Sequence, residues 1–301
     1  MKFAKRIVLF LAVNFLVMIT LSIILNFFNV QPFLSRYGLN VPSLLIFCLV
    51  WGMGGALISL LLSRQMAKWM LTVRIIDEKS TDPTLKSLKA TVERLSQAAR
   101  LSHFPEVGIY ESVEPNAFAT GPSERKSLVA VSTGLLRRMS QKELEGVIAH
   151  EITHIANGDM VTMALLQGVV NAFVMFLARV LAYVFSGMGR SRNGSSSGSY
   201  FSYMMSVFFF EVIFMLLGSL VVAAFSRFRE FRADRGGADL AGKEKMIAAL
   251  EALQQMQAAR DPKTDQPALA AFKISTAGKH GIMRLFATHP PLETRIERLR
   301  L

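Results

Sequence analysis

Four apolar blocks, each near the ~20 residues that a helix needs to cross a bilayer, most constrain how this chain can fold. They run from Ile7 to Phe28, Val41 to Leu62, Met160 to about Phe185 and about Tyr203 to Phe225. The first two carry no charge, the third only Arg179 and the fourth only Glu211. Hydrophobic residues make up 51% of the 301 positions, and concentrating them in such blocks predicts a polytopic α-helical membrane protein with about four spans. The opening "MKFAKR" resembles the charged start of a signal peptide. Its apolar block is 22 residues long with no small-residue cleavage site after it, which predicts an uncleaved anchor. In the second block, "WGMGGA" supplies small residues that let a partner helix approach closely.

Charge sets the expected orientation. Lys2, Lys5 and Arg6 precede the first block, Arg64, Lys68 and Arg74 follow the second, and Arg227, Arg229, Arg232 and Arg235 follow the fourth. The first interblock loop has only Arg36, and the Gly/Ser-rich loop "SGMGRSRNGSSSGSY" has Arg190 and Arg192. By the positive-inside rule both termini and the long middle segment are cytoplasmic. The net charge of +12 is accounted for by anionic lipid as the facing partner, because no basic-aromatic array suggests nucleic acid. Cys48 is the single cysteine, inside an apolar block, so no intrachain disulfide forms.

The expected organisation is two N-terminal spans over 1–63, a first cytoplasmic part over 64–159, a membrane hairpin over 160–226 and a second cytoplasmic part over 227–301. The cytoplasmic parts predict an α+β domain that is mainly helical with a small sheet. A helix is expected over about Thr84 to Ala99 after Asp82 and Pro83, then a strand at "VGIY", a turn and strand at "PNAFATG" and an alternating strand at "SLVAVST". Beyond residue 226, "EKMIAALEALQQMQ" and the residues after "THPP" read as helices.

Chemistry concentrates at "VIAHEITHIANGD". "SQKE" is a capping box with Ser140 at the N-cap and Glu143 three residues on, and an apolar stripe through Leu144, Val147, Ile148, Ile152 and Ile155 makes this a helix. His150 and His154, four apart, leave one face and can meet one zinc ion, while Glu151 is placed beside them as a general base. A catalytic zinc needs a third protein ligand. His103, His280 and His289 are possible, and so is Glu230 in "SRFREFRADRGGADL". Glu230 and Asp234 share a helix face, with Asp234 placed to fix an imidazole tautomer, although the same residues also read as an ordinary charged helix balanced by arginines.

"AHEITHIANGD", "PNAFATGPS", "SRFREFRAD" and "THPP" together resemble the HtpX family of bacterial membrane metalloproteases, in the superfamily of the CAAX-prenyl endopeptidases. The resemblance covers nearly the whole chain. It implies a gluzincin-type site with one zinc on His150, His154 and Glu230, Glu151 as general base and Asp234 bonded to a ligand histidine. It further implies His289 as donor to the oxyanion and "PNAFAT" as an edge strand that pairs with extended protein substrates, with Asn116 binding their backbone. The activity implied is a zinc endopeptidase of the bacterial inner membrane, acting at the cytoplasmic face on membrane or misfolded proteins during stress. An intramembrane protease is disfavoured because Lys142, Glu143, Glu145, Asn157 and Asp159 surround the motif. A prenyl-protein protease would need more spans, and a catalytically silent scaffold would not need Glu151.

The two charges inside the last blocks predict one more contact. Arg179 lies 19 residues after Met160 and Glu211 lies 15 residues before Ser226. Their depths then differ by ~6 Å, within reach of an arginine side chain, and an ion pair across the hairpin is expected.

Overall fold

The computed structural model describes residues 40–188, 196–258 and 281–301. The first apolar block and His280 lie outside the described residues. The chain divides into two compact units, one formed by residues up to Ile58 with Ala164–Val222, the other by Ser59–Met163 with Ala223–Leu301.

Among the described residues, three helices contribute to the first unit: α1 (Val41–Met70), α5 (Asp159–Met188) and α6 (Ser196–Ala241). All three are long and apolar enough to cross a membrane. Among the described residues, the helices extend into the Gly/Ser-rich segment from both sides, to Met188 and from Ser196. Large apolar side chains such as Trp51, Phe208 and Met215 point outward, a surface that water would not tolerate and lipid would. Val41, Leu45, Cys48, Phe176 and Val180 make the interior. The small-residue stretch acts at Gly52, where a Cβ would lie 2.6 Å from the Ala172 backbone nitrogen, so only glycine lets α1 and α5 come this close. Gly54 and Gly55 face nothing within 4 Å.

The expected ion pair is present, with Arg179 Nη1 2.7 Å from Glu211 Oε1. The same nitrogen donates to the Met175 carbonyl, and the guanidinium sits 5.8 Å from the centre of the Phe47 ring. Arg179 therefore ties α5 to α6 electrostatically and to α1 through a cation–π contact.

The second unit is the α+β part. Helix α2 (Pro83–Ala98) starts at Asp82, whose side chain accepts from the Thr84 N–H. Strands β1 (Arg74–Ile75), β2 (Glu106–Tyr110), β3 (Ala117–Thr120) and β4 (Leu128–Ser132) form one sheet in the order β1-β2-β4-β3. β2 and β4 are parallel, and the outer pairs are antiparallel. All five residues of β4 are buried, unlike the half-exposed strand that alternation suggests. Val129 and Val131 face the main core, while Leu128 and Ala130 pack with Tyr110, Phe118 and Ala67 of α1 on the other side. Both faces of the sheet are covered, so the polarity alternation carries no solvent signal. After the short α3 (Thr133–Arg138), the capping box of Ser140 and Glu143 starts α4 (Gln141–Asn157). Its stripe of Val147, Ile148 and Ile152 packs on β3, on α2 and above all on α7 (Lys243–Ala258). Helix α8 (Leu292–Arg300) closes the unit against α7.

Arg179→Ala and Glu211→Ala should each lower the thermal midpoint of the detergent-purified protein. The double substitution should cost clearly less than their sum, with a coupling of about 0.5–3 kcal/mol. Additive costs would reject the pair as a lock between α5 and α6.

Candidate metal centre

His150 and His154 emerge from α4 one turn apart, and Glu230 and Asp234 from α6 one turn apart. What brings the two helices into register is a glycine pair. A Cβ at Gly236 would sit 2.4 Å from Thr153 Cγ2, and one at Gly237 would sit 3.1 Å from the His150 backbone nitrogen. The backbone of α6 thus rests on the α4 turn that carries the histidines.

The resulting geometry is tight. His150 Nε2 and His154 Nε2 are 3.1 Å apart, and they lie 3.4 Å and 3.3 Å from the two Glu230 oxygens. Ligands held tetrahedrally at about 2.0–2.1 Å from one ion are separated by about 3.3 Å, so three ligand atoms already stand at the spacing of a metal's coordination shell. His150, His154 and Glu230 are also the group, among the described residues, that could hold a metal ion, and all three are buried.

The outer nitrogens explain the orientation. His150 Nδ1 is 3.0 Å from Asp234 Oδ1, and His154 Nδ1 is 2.6 Å from Asp159 Oδ2. A carboxylate accepts from an Nδ1–H, so each ring keeps an Nε2 lone pair, and these two lone pairs converge with the Glu230 carboxylate. Such an arrangement is repulsive unless a positive charge sits among them. Burial opposes charging His150, yet its bonds to Asp234 and Glu230 lift its pKa to about 9. Burial likewise opposes charging His154, and Asp159 and Glu230 raise its pKa. The surroundings favour positive charge at this point, from protons or from a metal cation.

Asp234 faces His150 Nδ1, and Arg295 of α8 completes that side. Arg295 is 1% exposed and donates through Nε and Nη2 to both Asp234 oxygens, at 2.8 and 2.6 Å. Burial would discharge it, but Asp234 and Glu230 outweigh burial and raise its pKa. Sequence reasoning missed Arg295, because nothing in its spacing marks a pairing 61 residues away. It also missed Asp159.

The other expected residues fall as follows. His289 Nδ1 is 2.8 Å from Glu230 Oε2, so His289 joins the cluster through the carboxylate. Arg227 donates to the Leu285 and Ala287 carbonyls and so holds the segment that leads to His289. His103 is exposed, contacts Ser102 and is not among the group. Glu151 is 5% exposed and, among the described residues, forms no hydrogen bond or ion pair. β3 is an edge strand of the sheet and packs on α4. Asn116, just before it, is buried, with its N–H on Ser132 Oγ and its carbonyl accepting from the Ser132 N–H.

The profile of Peptidase family M48 matches residues 84–301. A protease HtpX homolog of Bacillus pumilus is 49% identical over 302 residues, covering 98% of both chains. The chain belongs to the HtpX proteases of family M48. A second HtpX homolog, from Thiobacillus denitrificans, is 48% identical over 98% of this chain and 99% of its own. Among solved structures, the crystal structure of S. mikatae Ste24p is similar with a TM-score of 0.57 at 16% identity, over 98% of this chain and 67% of that one. That likeness is one of fold. As an HtpX protease the chain is a membrane metalloprotease acting on peptides or proteins.

A valine at Gly236 should force α6 away from Thr153 and reduce the metal retained after dialysis to a small fraction of the wild-type content. Alanine at Gly55, which faces nothing within 4 Å, should leave it unchanged. Metal analysis of both variants checks this, and full retention in Gly236→Val would remove helix spacing as the determinant.

Proposed function

We propose that this protease uses one zinc ion on His150, His154 and Glu230 to hydrolyse membrane or misfolded proteins at the cytoplasmic face of the bacterial inner membrane, in stress-linked quality control. One observation carries the reading: three buried ligand atoms converge at metal-coordination spacing, beside Glu151, a buried glutamate that forms no hydrogen bond or ion pair among the described residues.

Held by His150, His154 and Glu230, a zinc ion would supply Lewis acidity toward the scissile carbonyl and the attacking water. The chain's own residues do the rest. Glu151 accepts the proton of that water and passes it to the departing amine nitrogen. Asp234, fixed by Arg295, holds the His150 imidazole in the Nδ1–H tautomer. With Nδ1 on Glu230, the remaining His289 nitrogen, Nε2, is the one able to donate to the oxyanion as it develops. β3 offers its outer edge to an extended substrate as an added strand, with Asn116 at its head to meet the substrate backbone.

The spacing of site and spans supports the location. His154 lies five residues before the start of α5, and Glu230 lies five residues beyond Phe225, where the apolar run ends. The Lys and Arg residues around those ends support the cytoplasmic side.

Glu151→Gln should keep the fold and one metal per chain while lowering cleavage of casein by about 100-fold or more, since it removes the base alone. Assays with and without a chelator test it, and undiminished cleavage would sink the assignment. Glu230→Ala should lose most of the metal on dialysis. Full occupancy there would move the third ligand elsewhere.

A further inference from the structure

His150 has its carboxylate partner in Asp234. His154 has one of different origin. Gly158 takes a left-handed conformation, φ 68°, and its N–H caps α4 on the His154 and Ile155 carbonyls. That turn brings the next residue, Asp159, back onto the imidazole that the chain has just left. Asp159 is fully buried although it begins a helix. Oδ2 takes the His154 Nδ1–H at 2.6 Å, and Oδ1 takes an N–H of Arg232 Nη2. Among the described residues neither oxygen accepts from the α5 backbone, so Asp159 is not acting as a helix cap. A buried carboxylate is tolerated only when paired and hydrogen-bonded, and both conditions are met here by one ligand histidine and one arginine.

Arg232 sits two residues beyond Glu230 on α6, and Asp159 five residues beyond His154. The carboxylate therefore joins the helix that supplies two ligands to the helix that supplies the third. A rotation of α6 that withdrew Glu230 would also withdraw Arg232 and leave Asp159 buried with half its partners. The two sides of the site are built alike, as His150–Asp234–Arg295 and His154–Asp159–Arg232, but they are not equally enclosed. The Arg295 side chain is fully buried, whereas that of Arg232 is 49% exposed.

We propose that Asp159, held by Arg232, is the positioning residue of His154. It fixes the tautomer and direction of this imidazole toward the metal and ties its alignment to that of Glu230. The inference rests on the reading of His150, His154 and Glu230 as zinc ligands.

Zinc affinity of the full-length protein in detergent, by competition with a chromophoric chelator, tests it. The absorption bands of the cobalt-substituted form and the thermal midpoint of the metal-free form accompany that measurement. Asp159→Asn should weaken zinc binding by about 10–100-fold and shift the cobalt bands, because the group orienting His154 loses its charge. Arg232→Gln should weaken binding in the same direction, and Arg232→Lys should recover most of the loss. Arg235→Gln, on the same helix and outside the cluster, should change nothing. If the wild type binds zinc and both Asp159→Asn and Arg232→Gln bind it within about twofold of wild type, the proposal is overturned. A lowered midpoint without a change in affinity would also overturn it, leaving a structural pair. If Asp159→Asn does not fold, the Arg232→Gln and Arg232→Lys affinities decide alone. If the wild type itself binds no zinc, it is the ligand assignment that fails.

Discussion

A methyl group at Gly236 would come within 2.4 Å of Thr153 Cγ2 and one at Gly237 within 3.1 Å of the His150 backbone nitrogen, and the centre depends on the close approach of α4 and α6 at these two glycines. Helices α4 and α6 are far apart in sequence and must meet backbone to backbone for Glu230 to stand among the Nε2 atoms of His150 and His154. Glycine in a helix interior costs about 0.5–1 kcal/mol relative to alanine. Two in succession, at Gly236 and Gly237, are a local loss that the close contact offsets through Asp234, Arg232 and Glu230. The capping box at Ser140 and the packing of α4 on α7 fix the other partner, so the histidines are presented on a rigid element.

Electrostatics set the second constraint. Glu151, Glu230, Asp234 and Asp159 are all buried or nearly so, and three guanidinium groups face them: Arg295 on Asp234, Arg232 on Asp159 and Arg229 on Glu230. With neutral imidazoles the local balance is negative. A divalent cation turns it positive, which suits an active centre that must stabilise a developing oxyanion. Arg295 carries the deepest of these charges, and α8, whose Arg298 also stacks on Phe231 at 4.4 Å, is best understood as the element that delivers it.

Much of this was legible in the sequence wherever the relevant distance is a helical turn. The shared helix faces of His150 and His154, and of Glu230 and Asp234, follow from four-residue spacing, the choice of Glu230 over the remaining histidines follows from the family resemblance, and the starts of α2 and α4 follow from Asp82 and Ser140. Arg179 and Glu211 could be matched because membrane depth reduces their problem to one dimension. What stayed hidden depends on contacts between distant segments. Arg295 in "LETRIERLR" looks like any surface arginine of a charged helix. Asp159 looked like a polar flank of the motif, since its return onto His154 depends on the left-handed turn at Gly158. The two-residue β1 is too short for any pattern, and β4 carries no solvent-facing side to read.

The central claim is that two imidazoles and one carboxylate of this chain hold zinc. Zinc-edge X-ray absorption on the full-length protein, purified in detergent without added chelator, addresses the metal and its ligands together. The account predicts zinc with a shell of nitrogen and oxygen at about 2.0–2.1 Å, and outer-shell scattering from two histidine rings. A sulfur shell at about 2.3 Å, or a shell without imidazole scattering, would contradict it.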